Sequence, residues 1–448
     1  MIGTSLCKWT ISYFAAAIAW LVLAEALMIA GFGSPNADVA APDTLVIVHM
    51  LGVGWLSTSM CGALFQFVPV LAARPLYAER WTLPAFALLT AGLVALLGGF
   101  LALGGRIPQW VLLLPVGAIL LIAGFTLAAL NLAMTLWQAR PLPTPSRFVA
   151  VGLVSIGVSV TFGAIFAFVL SGRVAGPPWS AALSVGIPLH AAAGLAGWLT
   201  FTAMGVSYRL LAMFMLAPDS DARLGRSAWF AGAAALAILV LGGVLALATA
   251  AGWNLVFSLA AASALMSLLL YGHDVLGLYR SRKRRVLELN TQMAAWSLAS
   301  FAAAVILGAM LFATGSFVRH VDAFIFLVAF GWLSGLVFAT LYKIVPFLTW
   351  LEVYGPVIGR IPTPRVQDLV AERRARKWFE LFFIASWAAT AMLLIEAPPL
   401  FRIAVAAMTV ATLGMAQELV RARQLADVAA PLRLPAGTSA PRLLVSRN

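Results

Sequence analysis

Charge is what this chain has least of. Only 10% of its 448 residues are Asp, Glu, Lys or Arg, and 62% are apolar, whereas soluble domains carry about 25% charged residues. A soluble globular protein is therefore excluded. Cysteine is almost absent: Cys7 and Cys61 alone cannot build a disulfide framework or a cysteine-only metal cluster. Histidine is nearly as scarce, and four residues set a low ceiling on imidazole chemistry. No glycine-rich phosphate loop, nucleophile triad or pair of hydrolytic carboxylates appears. The net charge of +13 comes from positive residues in short loops between apolar runs, which argues against nucleic acid as a partner.

What is present is a series of apolar runs, each long enough for the roughly 20 residues a membrane span requires. Twelve lie at about 10–32, 43–72, 83–104, 109–137, 147–171, 182–216, 227–250, 253–279, 291–314, 320–350, 376–395 and 399–422. Leu236 to Ala248 and its like are continuously apolar, so helices and not the alternating strands of a barrel are expected. The first run is too long for a cleaved signal peptide and is interrupted by Glu25. Loop charge orients the chain. One side collects Lys8, Arg74, Arg80, Arg140, Arg147, Arg223, Arg226, the basic run 280–285, and the arginines of 360–376 with Lys377; the other has only Arg106, Arg173, Arg319 and Arg402. By the positive-inside rule both termini are expected in the cytoplasm, in a bacterial-type inner membrane. The bilayer is thus the first expected partner. Residues 1–424 form the transmembrane domain, and residues 425–448 are expected to be a cytoplasmic tail, disordered because Pro, Gly, Ser and Arg replace the apolar runs from Pro431 onward.

Three spans share one pattern. The second contains Gly54-Trp55-Leu56-Ser57, then Gly62, Phe65, Gln66 and Pro69; the sixth Gly197-Trp198-Leu199-Thr200, then Gly205, Tyr208, Arg209 and Ala212; the tenth Gly331-Trp332-Leu333-Ser334, then Ala339, Tyr342, Lys343 and Pro346. Counted from each tryptophan, a small residue recurs at +7, an aromatic at +10, a long polar chain at +11, and Pro, Ala, Pro at +14. The tryptophans lie 143 and 134 residues apart, four spans each time, so the three copies run in the same direction across the membrane. Such agreement reads as a true internal threefold repeat. Two-repeat transporter plans do not produce it.

Twelve helices in three pseudo-symmetric four-helix repeats resemble subunit I of the heme-copper oxidases, the cytochrome c oxidase and nitric oxide reductase type. The resemblance implies an all-α integral membrane fold. It also implies roles for particular residues. His49, followed by Gly62 and Pro69, matches in placement the heme-ligating histidine of the family's helix 2; His190 lies in the helix that carries a copper ligand; and His320-Val321-Asp322 stands where the family has a His-x-His pair. Arg402 occupies the outer loop where family arginines meet heme propionates, and Arg319 is the further candidate for that role. The seventh span lacks the family's His-His pair, and Asp322 replaces the second histidine of the helix 10 pair, so most copper ligands and one heme ligand are missing.

The outer histidines can be ranked by depth. His49, His190 and His320 precede their repeat tryptophans by 6, 8 and 12 residues, roughly 9, 12 and 18 Å of helix. His49 and His190 are thus expected at similar depth, with His320 nearer the surface. His273, beside Asp274 at the end of the eighth span, reads as interfacial. Each histidine either satisfies a backbone carbonyl or ligates iron or copper, for which neutral imidazole is suited. Glu25 is the one acid well inside a span, and an intramembrane carboxylate is a functional candidate by default. Its expected depth pairs it with His49, as a carboxylate orienting a ligand or as part of a metal or proton path. Met50, Met60, Met204, Met213 and Met215 read either as packing or as a soft path for copper(I).

The expected function is a divergent oxidase-like membrane protein that binds heme b, copper or both, for electron transfer or for handling a small gas or metal. Four histidines do not supply a binuclear centre together with a second heme. Oxygen reduction by this chain alone is therefore not expected; were it an enzyme, it would be an oxidoreductase of the oxidase and nitric oxide reductase class. Partners implied are other respiratory subunits or an electron-donor protein. The alternative is a heme-free transporter or metal-delivery protein that keeps the same fold.

Overall fold

A computed structural model describes residues 7–218, 222–249 and 253–446. Among them no strand occurs, and twelve helices are long and apolar enough to cross a membrane. They are α1 (Thr10–Ile29), α2 (Pro42–Ala72), α3 (Glu79–Leu103), α4 (Pro108–Trp137), α5 (Thr144–Leu170), α6 (Gly186–Met215), α7 (Arg223–Ala246), α8 (Trp253–Arg280), α9 (Leu289–Ala313), α10 (Val321–Val357), α11 (Glu372–Leu394) and α12 (Pro398–Arg423). The protein is a multi-pass membrane protein, with helices where the apolar runs predict them; the last residue of the seventh expected run, 250, lies outside the described residues. Prolines open several helices: Pro42 in α2 and Pro398 in α12 sit in first turns, where a missing N–H costs nothing.

The three repeat helices share a local feature that periodicity does not reveal. Each passes from α-helical to π-helical hydrogen bonding around its tryptophan, over Met50–Ser57 in α2, Ala192–Phe201 in α6 and Leu327–Ser334 in α10. The hydroxyls two residues after the tryptophan fit the widened turn. Ser57 donates to the Gly52 carbonyl and Ser334 to that of Ala329, both five residues back and both at 2.7 Å. Serine in an ordinary helix reaches three or four residues back. The tryptophans are buried, as are Phe65, Tyr208 and Tyr342 at the +10 position.

Two compact units share the chain. The first comprises residues 1–66 and 288–448. In it α1 packs against the π-helical part of α2 and against α12, and α10 packs against α9 and α12. Its core is aromatic: Trp55 lies 5.0 Å from Phe338, Trp332 is stacked on Phe301 at 4.5 Å, and Phe338 meets Phe382 edge-on at 5.4 Å. Gly62 lets α1 approach, since a Cβ there would stand 2.8 Å from Tyr13 Cβ. The second unit, residues 67–287, packs α3 on α4, α4 on α5, α5 on α6 and α7 on α8. Its counterpart of Gly62 is Gly205, where a Cβ would meet Phe148 Cβ at 2.4 Å.

Composition predicts disorder at the C-terminus, yet residues 425–446 are held against the first unit. Leu425 and Val428 are buried with Val353, Tyr354 and Leu369. The Tyr354 hydroxyl hydrogen-bonds the carbonyls of Leu432 and Arg433 at 3.1 and 2.8 Å. Ser446 N–H donates to the Lys8 carbonyl at 2.9 Å, the Ser12 hydroxyl donates to that of Leu444 at 2.7 Å, and Arg423 donates to that of Arg442. A few apolar side chains and backbone carbonyls suffice for docking where composition averaged over the segment shows only polar and turn-forming residues.

Candidate functional site

Two of the outer histidines stand just ahead of a π-helical segment, each on its own helix. His49 is the last residue before the π-helical part of α2, and His190 stands two residues before that of α6. Such insertions recur at functional sites because they re-aim the side chains around them. The histidine Nδ1 atoms are anchored alike. His49 Nδ1 lies 2.8 Å from the Leu45 carbonyl, one turn back, and His190 Nδ1 lies 2.9 Å from the Ser159 carbonyl on α5. A carbonyl only accepts, so Nδ1 is the protonated nitrogen in both rings, and the lone pair of the neutral imidazole resides on Nε2. That tautomer, fixed by a carbonyl on the other nitrogen, is the one metal-ligating histidines adopt.

His190 is held on more than one side. The Ser159 hydroxyl donates to its backbone carbonyl at 3.2 Å, and Phe166 meets its ring edge-on at 5.8 Å. Gly163 supplies the room, because a Cβ there would stand 3.1 Å from His190 Cε1.

His320 is placed differently. It caps the short helical turn Val321–Phe326 ahead of the π-helical part of α10, and its buried Nδ1 has no hydrogen-bond partner among the described residues. Counted from Trp332, the positions equivalent to His49 and His190 are Phe326 and Phe324. Phe326 is stacked on Phe330 at 4.4 Å and meets Phe401 edge-on at 5.4 Å. In α10, aromatic packing thus takes the level that imidazole holds in α2 and α6. His273 is exposed.

Glu25 is fully buried, and the hydrogen bond it accepts comes from the Thr412 hydroxyl on α12 at 2.8 Å, not from His49; its other carboxyl oxygen, Oε2, has no hydrogen-bond partner among the described residues. The two candidate arginines also bind protein groups. Arg319 pairs with Glu396 at 2.5 Å, and its guanidinium holds that exposed carboxyl below the usual carboxylate range. Arg402 donates to the Ile29 carbonyl at 2.6 Å, securing the end of α1. Asp322 accepts from Ser34 at 3.3 Å and from the backbone of Ala323 at 2.8 Å. Among the described residues no group of three or more His, Cys, Asp or Glu converges as a metal cluster would. Most of the methionines are buried in the packing, and Met213 is exposed.

Charge distribution along the sequence suggests topology for the C-terminal arginines and conceals a half-buried network. Arg374 bridges Glu418, at 2.6 and 2.7 Å, and Asp427, at 2.6 and 3.1 Å; Arg421 reaches Asp427 at 2.8 Å. Arg423 and Glu352, 3% and 2% exposed, form a pair at 2.8 Å. Glu352 and Glu418, acids at the ends of otherwise apolar runs, are the sequence signal of it. The +11 side chains also find separate partners: Gln66 donates to Thr10 and the Cys7 carbonyl at 2.9 and 3.0 Å, and Lys343 pairs with Glu288 at 2.5 Å.

No protein-family model matches this sequence, and no curated protein matches it. Structure is more informative than sequence at this distance. The chain is similar to a heme-copper terminal oxidase determined as a dimer by cryo-electron microscopy, with a TM-score of 0.56 and 13% identity, over 98% of this chain and 84% of that one. The twelve-helix chain thus shares the fold of a heme-copper terminal oxidase.

Proposed function

We propose that this chain is a heme-binding membrane protein on the oxidase fold, serving electron transfer or the handling of a small gas or metal, and not reducing oxygen by itself. The observation that carries this reading is the shared station of His49 and His190 at the start of a π-helical segment, each with Nδ1–H given to a carbonyl. Such a ring offers Nε2 to a metal. His49 is the residue that would hold heme iron. A bound heme would supply reversible one-electron chemistry or a site for a diatomic ligand. The donor set does not fit a full binuclear centre, because the chain has four histidines and α10 carries phenylalanines at the matching level.

Copper at His190 is part of the same proposal, as are an inner-membrane location with both termini cytoplasmic and association with a respiratory subunit or electron donor. The arginine asymmetry of the loops supports the orientation. A second reading, a heme-free transporter or metal-delivery protein, is favoured by Glu25, an intramembrane carboxyl with a partnerless oxygen.

The test is a dithionite-reduced minus oxidised visible spectrum of the purified protein, with metal analysis of the same sample. A sharp α-band and iron are expected. Stoichiometric copper or zinc without heme would favour the second reading.

A further inference from the structure

Within the second unit, α4 and α5 leave a groove of about 390 Å³ between them, inside the roughly 300–1,000 Å³ typical of ligand sites. Small side chains create it: Ala129 and Ala133 on α4, Ala150 and Gly157 on α5. Apart from Thr126 and the Trp137–Arg140 end its lining is apolar, and Val154 is 68% exposed. Where the two helices are joined, the groove ends on Trp137 and Arg140. The Arg140 guanidinium lies on the Trp137 ring, 3.3 Å from its centroid. Arg140 is exposed and has no acidic partner among the described residues. A guanidinium flattened on an indole still presents N–H edges, in a fork that matches phosphate oxygens.

We infer that this groove binds an anionic phospholipid, with an acyl chain along Ala129, Ala133 and Gly157 and the phosphate on Arg140. The chemistry selects this occupant on two counts. In a membrane protein a hydrocarbon groove on the surface meets acyl chains, and an uncompensated cation at its end calls for an anion at headgroup level. A neighbouring transmembrane helix would fill the apolar part and leave Arg140 without a counter-charge. The Arg140 end also belongs to the arginine-rich side of the chain, with Arg147 in the first turns of α5, which increases the local preference for anionic headgroups.

The full chain, stripped of lipid in detergent, can be titrated by native mass spectrometry with phosphatidylglycerol or phosphatidylcholine of identical acyl chains. Two variants separate the parts of the site. A Cβ at Gly157 would meet nothing within 4 Å, so Gly157→Leu is expected to fold while filling the groove. Arg140→Gln removes only the charge. The wild type is expected to prefer phosphatidylglycerol; Arg140→Gln is expected to weaken that lipid about fivefold and leave phosphatidylcholine unchanged. Gly157→Leu is expected to weaken both. Equal binding of the two lipids by the wild type would overturn the inference, as would unaltered binding by Gly157→Leu. A co-purifying polypeptide of discrete mass, bound by the wild type and lost from Gly157→Leu, would overturn it in favour of a partner helix.

Discussion

The indole of Trp55 in α2 donates a 2.8 Å hydrogen bond to the hydroxyl of Ser334 in α10, joining the π-helical segments of two repeats. Ser334 in turn donates to the Ala329 carbonyl, so its single oxygen serves both helices. Replacing Ser334 with Ala strands a fully buried indole N–H and should cost about 1–3 kcal/mol. Adding Trp55→Phe should recover part of that polar cost. A double-mutant cycle on unfolding in detergent is expected to show coupling of at least about 0.5 kcal/mol; additive effects would mean the hydrogen bond contributes nothing.

The small residue at +7 of the repeat gives a contrast within one residue type. Gly205→Ala brings a methyl to 2.4 Å of Phe148 Cβ and 2.8 Å of the Pro145 carbonyl. Neither can yield without moving a helix, and a loss of about 1–3 kcal/mol is expected. Gly157→Ala, with open space around the new methyl, should be neutral or stabilise by up to about 1 kcal/mol. Thermal unfolding of the two variants decides it.

Docking of the C-terminal segment should depend on pH. Arg374, with help from Arg421, holds the Asp427 carboxyl at about 2, below the usual value of about 3.9. The folded state therefore favours the charged carboxylate. Its contribution is complete above pH ~4 and is lost as the pH falls toward 2. Asp427→Asn should remove that contribution at neutral pH. Trypsin is then expected to cut after Arg433 and Arg442 faster in the variant than in the wild type at pH 7. Identical cleavage rates would show that the apolar contacts of Leu425 and Val428 suffice.

Glu25 takes its hydrogen bond from Thr412, and the Glu25→Gln variant keeps an acceptor and the same volume at that place. Iron content and stability are expected to match the wild type. Loss of iron in this variant would tie the carboxyl to His49.

The helices and their threefold repetition were legible because a membrane span is a long composition signal and because the +7, +10 and +11 positions repeat around Trp55, Trp198 and Trp332. The π-helical turns were not. They depend on backbone hydrogen bonds spaced by one extra residue, which leave no periodicity to count; the Ser57, Thr58 and Ser334 hydroxyls, each bonded five residues back, accompany them. Along their own helices His49 and His190 stand one and two residues ahead of the π segments, and His320 seven. Pairing Glu25 with His49 rested on depth alone, and depth cannot say which face a side chain occupies. The C-terminal arginines read as topology signals because charge counting ignores partners; Glu352, Glu418 and Asp427 supply them.

Whether His49 holds a heme is decided by iron and heme per chain in the wild type and in His49→Ala, purified in parallel. About one heme per chain is expected in the wild type, with loss of both iron and the reduced α-band in the variant, which should still fold. A wild-type protein devoid of heme when expressed with ample heme supply would mean that the chain holds none, and a His49→Ala variant that retains it would mean that His49 is not the ligand.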